Sequence, residues 1–236
     1  MAEIIDDRWQ KVAGIWEIID RLRGEPGCPW DRKQTPESVQ TYLVEEAHEA
    51  ASAVRSGDVE EAAEELGDLL FMVFFIIHLY EEQREFQLDA VCDHITEKMI
   101  RRHPHVFGET KVESTREVRE NWEKIKAREK ADSGKAEGVI PQSLPALMRA
   151  YRMISRLAQA KDSGWNDLGA RAREFAAKSQ GLSNALANGG TVPAETFGEL
   201  LRDLVNLARL TGYRAEDCLH ESLRAIENKE EQKSKR

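Results

Sequence analysis

The chain has 236 residues, 33% of them charged and 41% hydrophobic, with a formal net charge of −9. That length bounds one or two domains of an ordinary soluble globular protein. The acidic balance excludes general nucleic-acid binding by bulk electrostatics, so a polyanionic ligand has to be met by local bases and a metal. The longest apolar run, Leu69 to Ile77, is far short of the ~20 residues needed to cross a bilayer and reads instead as a helix buried on all sides.

No secretory leader is expected, because Asp6 and Asp7 stand where an apolar segment would begin. Cys28, Cys92 and Cys218 are odd in number and widely spaced, as free thiols in a reducing cytoplasm would be. Neither a membrane nor a nucleic-acid partner is therefore anticipated.

Asp6 to Arg23 predicts an amphipathic helix with Trp9, Val12, Ile15, Trp16, Ile19 and Leu22 on one face. Gly24-Glu25-Pro26-Gly27-Cys28-Pro29 ends it, since Gly and Pro break helices. Trp30 and Asp31 follow in the loop; Trp30 either plugs the end of the bundle or touches substrate. Thr35 is placed to cap the next helix, with Pro36 at its first position.

That second helix carries Glu45, Glu46 and Glu49, and a tight turn at Ser56-Gly57-Asp58 leads into a third, roughly Val59 to Glu82, bearing Glu65 and Asp68. Residues three or four apart are neighbours on a helix, so an antiparallel pair could bring Glu46, Glu49, Glu65 and Asp68 together. These acids continue apolar stripes: Leu43, Glu46, Ala50 and Val54 on one helix, and Glu61, Glu65, Asp68, Met72 and Phe75 on the other. Acids in that position face a helix partner more than open water. Between Thr41 and Leu70 there are nine acids and one fixed base, Arg55. Gathered carboxylates repel one another, and burying them is costly without compensation. An all-oxygen donor set suits Mg2+, with Mn2+ as a substitute. Glu45 lies on a more polar face, either assisting as a base or simply exposed, and His48 reads as a surface residue.

A fourth helix, about Leu88 to Arg102, places Lys98 and Arg102 four apart; they either complement the helix C-terminus or hold phosphate oxygens. His103 and His105, separated by one proline, read as structural. Thr115 to Lys130 predicts a further helix, where Trp122 and Lys126 either stack a base and hold a phosphate or merely pack. Residues 131–143 then read as a linker.

Beyond it the pattern repeats. Leu144 to Ala160 resembles the first helix, Trp165-Asn166-Asp167 stands where Trp30-Asp31 stood, and Phe197-Gly198-Glu199-Leu200-Leu201 echoes Leu66-Gly67-Asp68-Leu69-Leu70. The copy has lost its acids: Glu174 remains in Arg171 to Ala187, but Lys178, Gln180 and Gly181 occupy the Glu-Glu-x-x-Glu stretch. The last helix, Glu216 to Glu227, lacks a Lys–Arg pair. The expected architecture is all-α: a domain over 1–130, the linker, and a degenerate second copy over 144–236.

The Glu-Glu-x-x-Glu and Glu-x-x-Asp pattern resembles the MazG-type nucleoside triphosphate pyrophosphohydrolases of the all-α NTP pyrophosphatase superfamily. The resemblance covers nearly the whole chain, including Gly27-Cys28-Pro29-Trp30-Asp31, Arg101-Arg102-His103-Pro104-His105-Val106-Phe107, Trp122-Glu123-Lys124-Ile125-Lys126 and Ser143-Leu144-Pro145-Ala146-Leu147-Met148. It implies a homodimer that hydrolyses nucleoside triphosphates to monophosphate and pyrophosphate with magnesium. Glu46, Glu49, Glu65 and Asp68 would ligate the metal, and Lys98, Arg102, Trp122 and Lys126 would contact substrate. Water, its proton taken by Glu45 or Glu46, would attack the α-phosphorus. The rival readings are a nucleotide-binding regulatory dimer without catalysis and a narrower, dNTP-specific pyrophosphatase.

Overall fold

A computed structural model of the chain describes residues 7–133, 139–160 and 163–234. The first residue of the expected opening helix and residues 134–138 of the expected linker lie outside these. The described residues form helices and turns, without a strand, so the fold is all-α. The chain divides into two compact units, Met1–Asp132 and Ser133–Arg236.

In the first unit α1 spans Asp7–Arg23, α2 Pro36–Ser56, α3 Val59–Glu82, α4 Leu88–Arg102, the short α5 Pro104–Phe107 and α6 Thr115–Ser133. Thr35 caps α2 by accepting from the Ser38 amide, with Ser38 returning the bond to the Thr35 amide and Pro36 filling the first turn. Gly57 closes α2 in the left-handed conformation, at φ 79°, which a residue without Cβ adopts cheaply. Asp58 then accepts from the amides of Glu60 and Glu61 to start α3. One glycine and two caps thus fold α2 back along α3, the main packing of this unit.

Helix α1 crosses α3 through a matched column. Trp16 meets Phe74 edge-on with centroids 6.1 Å apart, and Asp20 lies 2.7 Å from the ring of buried His78. Arg23 then forks onto Glu82 at 2.8 and 2.5 Å. Ile19, Val39, Phe75 and Leu79 make the core between α1, α2 and α3. Burying such side chains contributes about 1.5–3 kcal/mol each. The loop after α1 is pinned closely, since a Cβ on Gly27 would sit 2.2 Å from the Leu22 carbonyl oxygen.

Helix α3 differs from the expectation of burial on all sides. Phe75, Ile77 and Leu79 are buried, but Leu66, Leu70 and Val73 are exposed. The physical reason is coverage: α1, α2 and the start of α4 are the elements that pack on α3, and they leave one stripe open. Helix α6 is held to α4 by charge: Glu129 accepts from Arg101 at 2.7 Å and from Arg102 at 2.7 Å, while Trp122 packs edge-on against His103.

The second unit comprises α7 Ala146–Leu157, α8 Leu168–Ala187, α9 Ala194–Leu210 and α10 Ala215–Ser234, with α9 packing against the other three. Helix α10 runs seven residues past the predicted end at Glu227. Ile154 on α7 and Val205 on α9 are the buried apolar centre of this unit, and buried Asn206 donates to the Trp165 carbonyl at 3.2 Å.

The Glu129 clamp sets a pH dependence. Hydrogen bonds from Arg102, the largest cause, and from Arg101 lower its pKa to about 2. A carboxylate depressed on folding stabilises fully above its ordinary value near 4.5, and the contribution is lost as pH falls toward about 2. Trp122 fluorescence should therefore report α6 release across that acid window, and in Glu129→Gln α6 should already be loosened at neutral pH. Identical acid profiles for the two proteins would contradict the clamp.

Candidate active site

The acids converge as the α2–α3 hairpin demands. One carboxylate oxygen each from Glu46, Glu49 and Glu65 lies within 4.8 Å of the others. Asp68, one turn along α3 from Glu65, joins Glu46 in the wall of an adjoining cleft of about 250 Å3. Glu46 and Glu65 are half-buried, whereas Glu45, Glu49 and Asp68 are exposed.

The cluster is charge-frustrated. Burial first, then the charges of Asp68, Glu49, Glu65 and Glu45, raises the pKa of Glu46. Burial first, then Glu49, Asp68, Glu64 and Glu61, raises that of Glu65. No basic side chain appears among the groups acting on either carboxyl. Oxygen donors only, with no base among the described residues shown to relieve the repulsion on Glu46 and Glu65, make a fit for a hard divalent cation.

The cleft beside the acids is walled by Trp30 and Asp31 from the loop, Val39 and Tyr42 from α2, and Phe71, Met72 and Phe75 from α3. Trp30 meets Tyr42 edge-on, centroids 6.0 Å apart. A largely apolar cleft with carboxylates in its wall can take an aromatic base against its apolar side chains and metal-neutralised phosphates beside its acids. Of the two sequence readings of Trp30, its position is that of a cleft wall. Tyr42, Phe71, Met72 and Phe75 were not singled out as site residues. The signal was present, since Val39, Tyr42 and Glu46, and likewise Asp68, Phe71, Met72 and Phe75, recur at helical spacing.

Four residues expected to contact substrate do not line this cleft. Arg102 is engaged by Glu129 and lies over the Trp122 ring at 5.7 Å. Lys126 pairs with Glu123 at 3.1 Å, and Lys98 is half-buried on α4. Together with Trp122 they belong to the α4–α6 side of the unit. A helix heptad shows which bases share a face but not that an acid 27 residues on will claim one of them.

In the second unit a lysine of α8 stands beside two acids of α9. Lys178 Nζ lies 2.8 Å from Asp203 and 3.2 Å from Glu199, so an ammonium of the protein supplies the positive charge there. Its pKa is raised, first by the Asp203 hydrogen bond.

The chain is similar to known proteins along most of its length. Residues 34–107, which include the whole acidic hairpin, match the MazG nucleotide pyrophosphohydrolase domain. A nucleoside triphosphate pyrophosphohydrolase of Escherichia coli strain K12 is 36% identical over 226 residues, covering 93% of this chain and 85% of that protein. The nucleoside triphosphate pyrophosphohydrolase/pyrophosphatase MazG of Thermotoga maritima is 35% identical over 220 residues, covering 91% and 84%. A solved structure of a MazG-related protein from Thermotoga maritima is 29% identical and aligns with a TM-score of 0.43, over 49% of this chain and 98% of that one. With more than a third of its residues shared along nearly its full length, and the acid-bearing hairpin inside the matched domain, the chain belongs to the MazG nucleotide pyrophosphohydrolase family.

Proposed function

We propose that this protein is a Mg2+-dependent nucleoside triphosphate pyrophosphohydrolase whose centre is the acidic hairpin of the first unit. The observation that carries this reading is the convergence of Glu46, Glu49 and Glu65 within 4.8 Å, beside an aromatic cleft. Membership of a family whose relatives bear that activity in their names supports it.

In this reading Glu46, Glu49, Glu65 and Asp68 hold the cation. When bound, Mg2+ supplies neutralisation of the triphosphate and of the charge that develops in the transition state. Trp30, Tyr42 and Phe75 hold the base, and the depth of the cleft turns the α-phosphate toward the acids. Glu46 within the cluster, or Glu45 next to it on α2, orients the attacking water and takes its proton. Attack at the α-phosphorus releases nucleoside monophosphate and pyrophosphate. Lys98 contributes to phosphate binding from α4, and Arg102 and Lys126 do so only after Glu129 and Glu123 release them.

Two wider proposals accompany it. The second unit is a degenerate copy of the first, with Lys178 in place of a metal. The exposed Leu66, Leu70 and Val73 stripe on α3 is covered in a homodimer. No helix among the described residues is long and apolar enough to cross a membrane.

Hydrolysis in 18O-labelled water should place the label in the monophosphate, and Glu49→Ala or Asp68→Ala should lower turnover at least about a hundredfold with helix content unchanged. Label in pyrophosphate would overturn α-attack, and full activity of either variant would overturn the site. Nucleotide binding without cleavage by the wild type would leave the binding-module reading, and cleavage of a single dNTP the narrower one.

Repulsion gives a second check. A carboxylate whose pKa is raised on folding destabilises as pH climbs through the window from 4.5 to that raised value, because the native state then binds the extra proton. At neutral pH without metal, Glu46→Gln should match or exceed the wild-type Tm, and Mg2+ should raise the wild-type Tm but not that of the variant. A metal-free Glu46→Gln that melts below wild type would contradict the frustrated cluster.

A further inference from the structure

The cleft wall made by Trp30 and Asp31 belongs to a loop, and a loop holds a shape only where something fastens it. Part of that fastening is local, through the amides of Arg32 and Lys33 donating to the carbonyls of Cys28 and Trp30, and one guanidinium ties the turn to α3. Arg23, at the end of α1, has a side chain only 9% exposed. Its Nε and Nη2 fork onto both oxygens of Glu82 on α3. Its Nη1 donates to the backbone carbonyl of Asp31 and, at 3.5 Å, to that of Gln34. Its face lies over the ring of Phe75, 5.7 Å from the centroid. Phe75 also lines the cleft. Arg23 therefore contacts two parts of the cleft lining, the loop at Asp31 and the Phe75 ring, without itself being one of the lining residues. Hydrogen bonds from the Gln34 side chain to the Trp30 carbonyl and from Ser38 to Gln34 extend the same fastening toward α2.

A lysine cannot do this. The planar guanidinium offers donors in three directions plus a stacking face, whereas an ammonium is a single point charge. Glu82, in turn, is held ionised: its pKa is lowered, first by the Arg23 hydrogen bond, so the fork stays charge-assisted. The second unit fastens its Trp165 turn in a comparable manner, with Arg209 donating to the Trp165 carbonyl at 2.9 Å.

We propose that Arg23, anchored by Glu82, is a positioning residue that fixes the Trp30–Asp31 wall of the cleft against Phe75 and so sets the fit of the nucleoside part of the substrate. This rests on the reading of the cleft as the nucleotide site. Arg23 touches no phosphate and no reacting atom. Its loss is felt in binding of the base more than in the chemical step.

The test is steady-state kinetics of the full chain with Mg2+ and nucleoside triphosphate. Arg23→Lys should raise KM about tenfold while kcat stays within about twofold, the signature of lost uniform binding. Glu82→Gln should move KM in the same direction. In a Trp30→Ala background either substitution should add little, because the wall it positions is already gone. Circular dichroism and thermal melting establish that each variant is folded; should Arg23→Lys fail to fold, the Glu82→Gln and Trp30→Ala cycle carries the test. An unchanged KM in folded Arg23→Lys, a loss confined to kcat, or fully additive KM effects with Trp30→Ala would overturn the proposal. Glu49→Ala in the same assay separates the two levels. If it is inactive, the Arg23 result speaks for Arg23 alone; if it is fully active, the site reading falls and this proposal with it.

Discussion

The interaction on which the rest of the first unit depends is a repulsion. Glu46, Glu49 and Glu65 are held within 4.8 Å of one another, and the charges acting on Glu46 and Glu65 are all negative. The hairpin is what makes that arrangement possible. Gly57 turns the chain, Asp58 starts the return, and α2 lies along α3 so that two pairs of acids, each three residues apart, face each other. Apolar packing below, through Val39, Phe75 and Leu79, outweighs the unfavourable charge above. An all-oxygen cluster with unrelieved repulsion is one that a hard divalent cation would stabilise.

The same economy explains why the cleft lies where it does. The α3 column passes from acids at Glu65 and Asp68 to aromatics at Phe71 and Phe75 within three turns. A ligand lying along it meets charge and then apolar surface, as a nucleotide does. The far wall comes from another part of the chain, the Trp30 loop, which reaches its place through the Arg23–Glu82 fork between residues 59 apart in sequence.

How much of this was legible beforehand follows from range. Thr35, Pro36, Gly57 and Asp58 act on their own neighbours, so the caps and the hairpin were readable from the sequence, and so was the acid spacing. The all-α class follows from the same periodicities. What was hidden is long-range or depends on coverage. The spacing leaves Arg102 open between capping its helix and holding a phosphate, and nothing in it announces that Glu129, 27 residues on, engages the guanidinium. The apolar run in α3 looked fully buried, yet Leu66, Leu70 and Val73 lie open, because periodicity shows which residues are apolar and not how many elements arrive to cover them. Tyr42 and Phe71 sat on the acid face all along; only the placement of the Trp30 loop makes them walls of a cleft.

The two units put opposite solutions to one electrostatic problem side by side. In the first the groups acting on Glu46 and Glu65 are acids; in the second Lys178 stands between Glu199 and Asp203. The central claim, that the first alone is a metal centre, is tested most directly by titrating Mn2+ into the full chain and following bound metal by electron paramagnetic resonance. Binding should be present in the wild type, lost in Glu46→Gln combined with Glu65→Gln, and retained in Glu199→Gln. Binding that survives the first pair of substitutions, or that disappears with Glu199→Gln, would contradict the account.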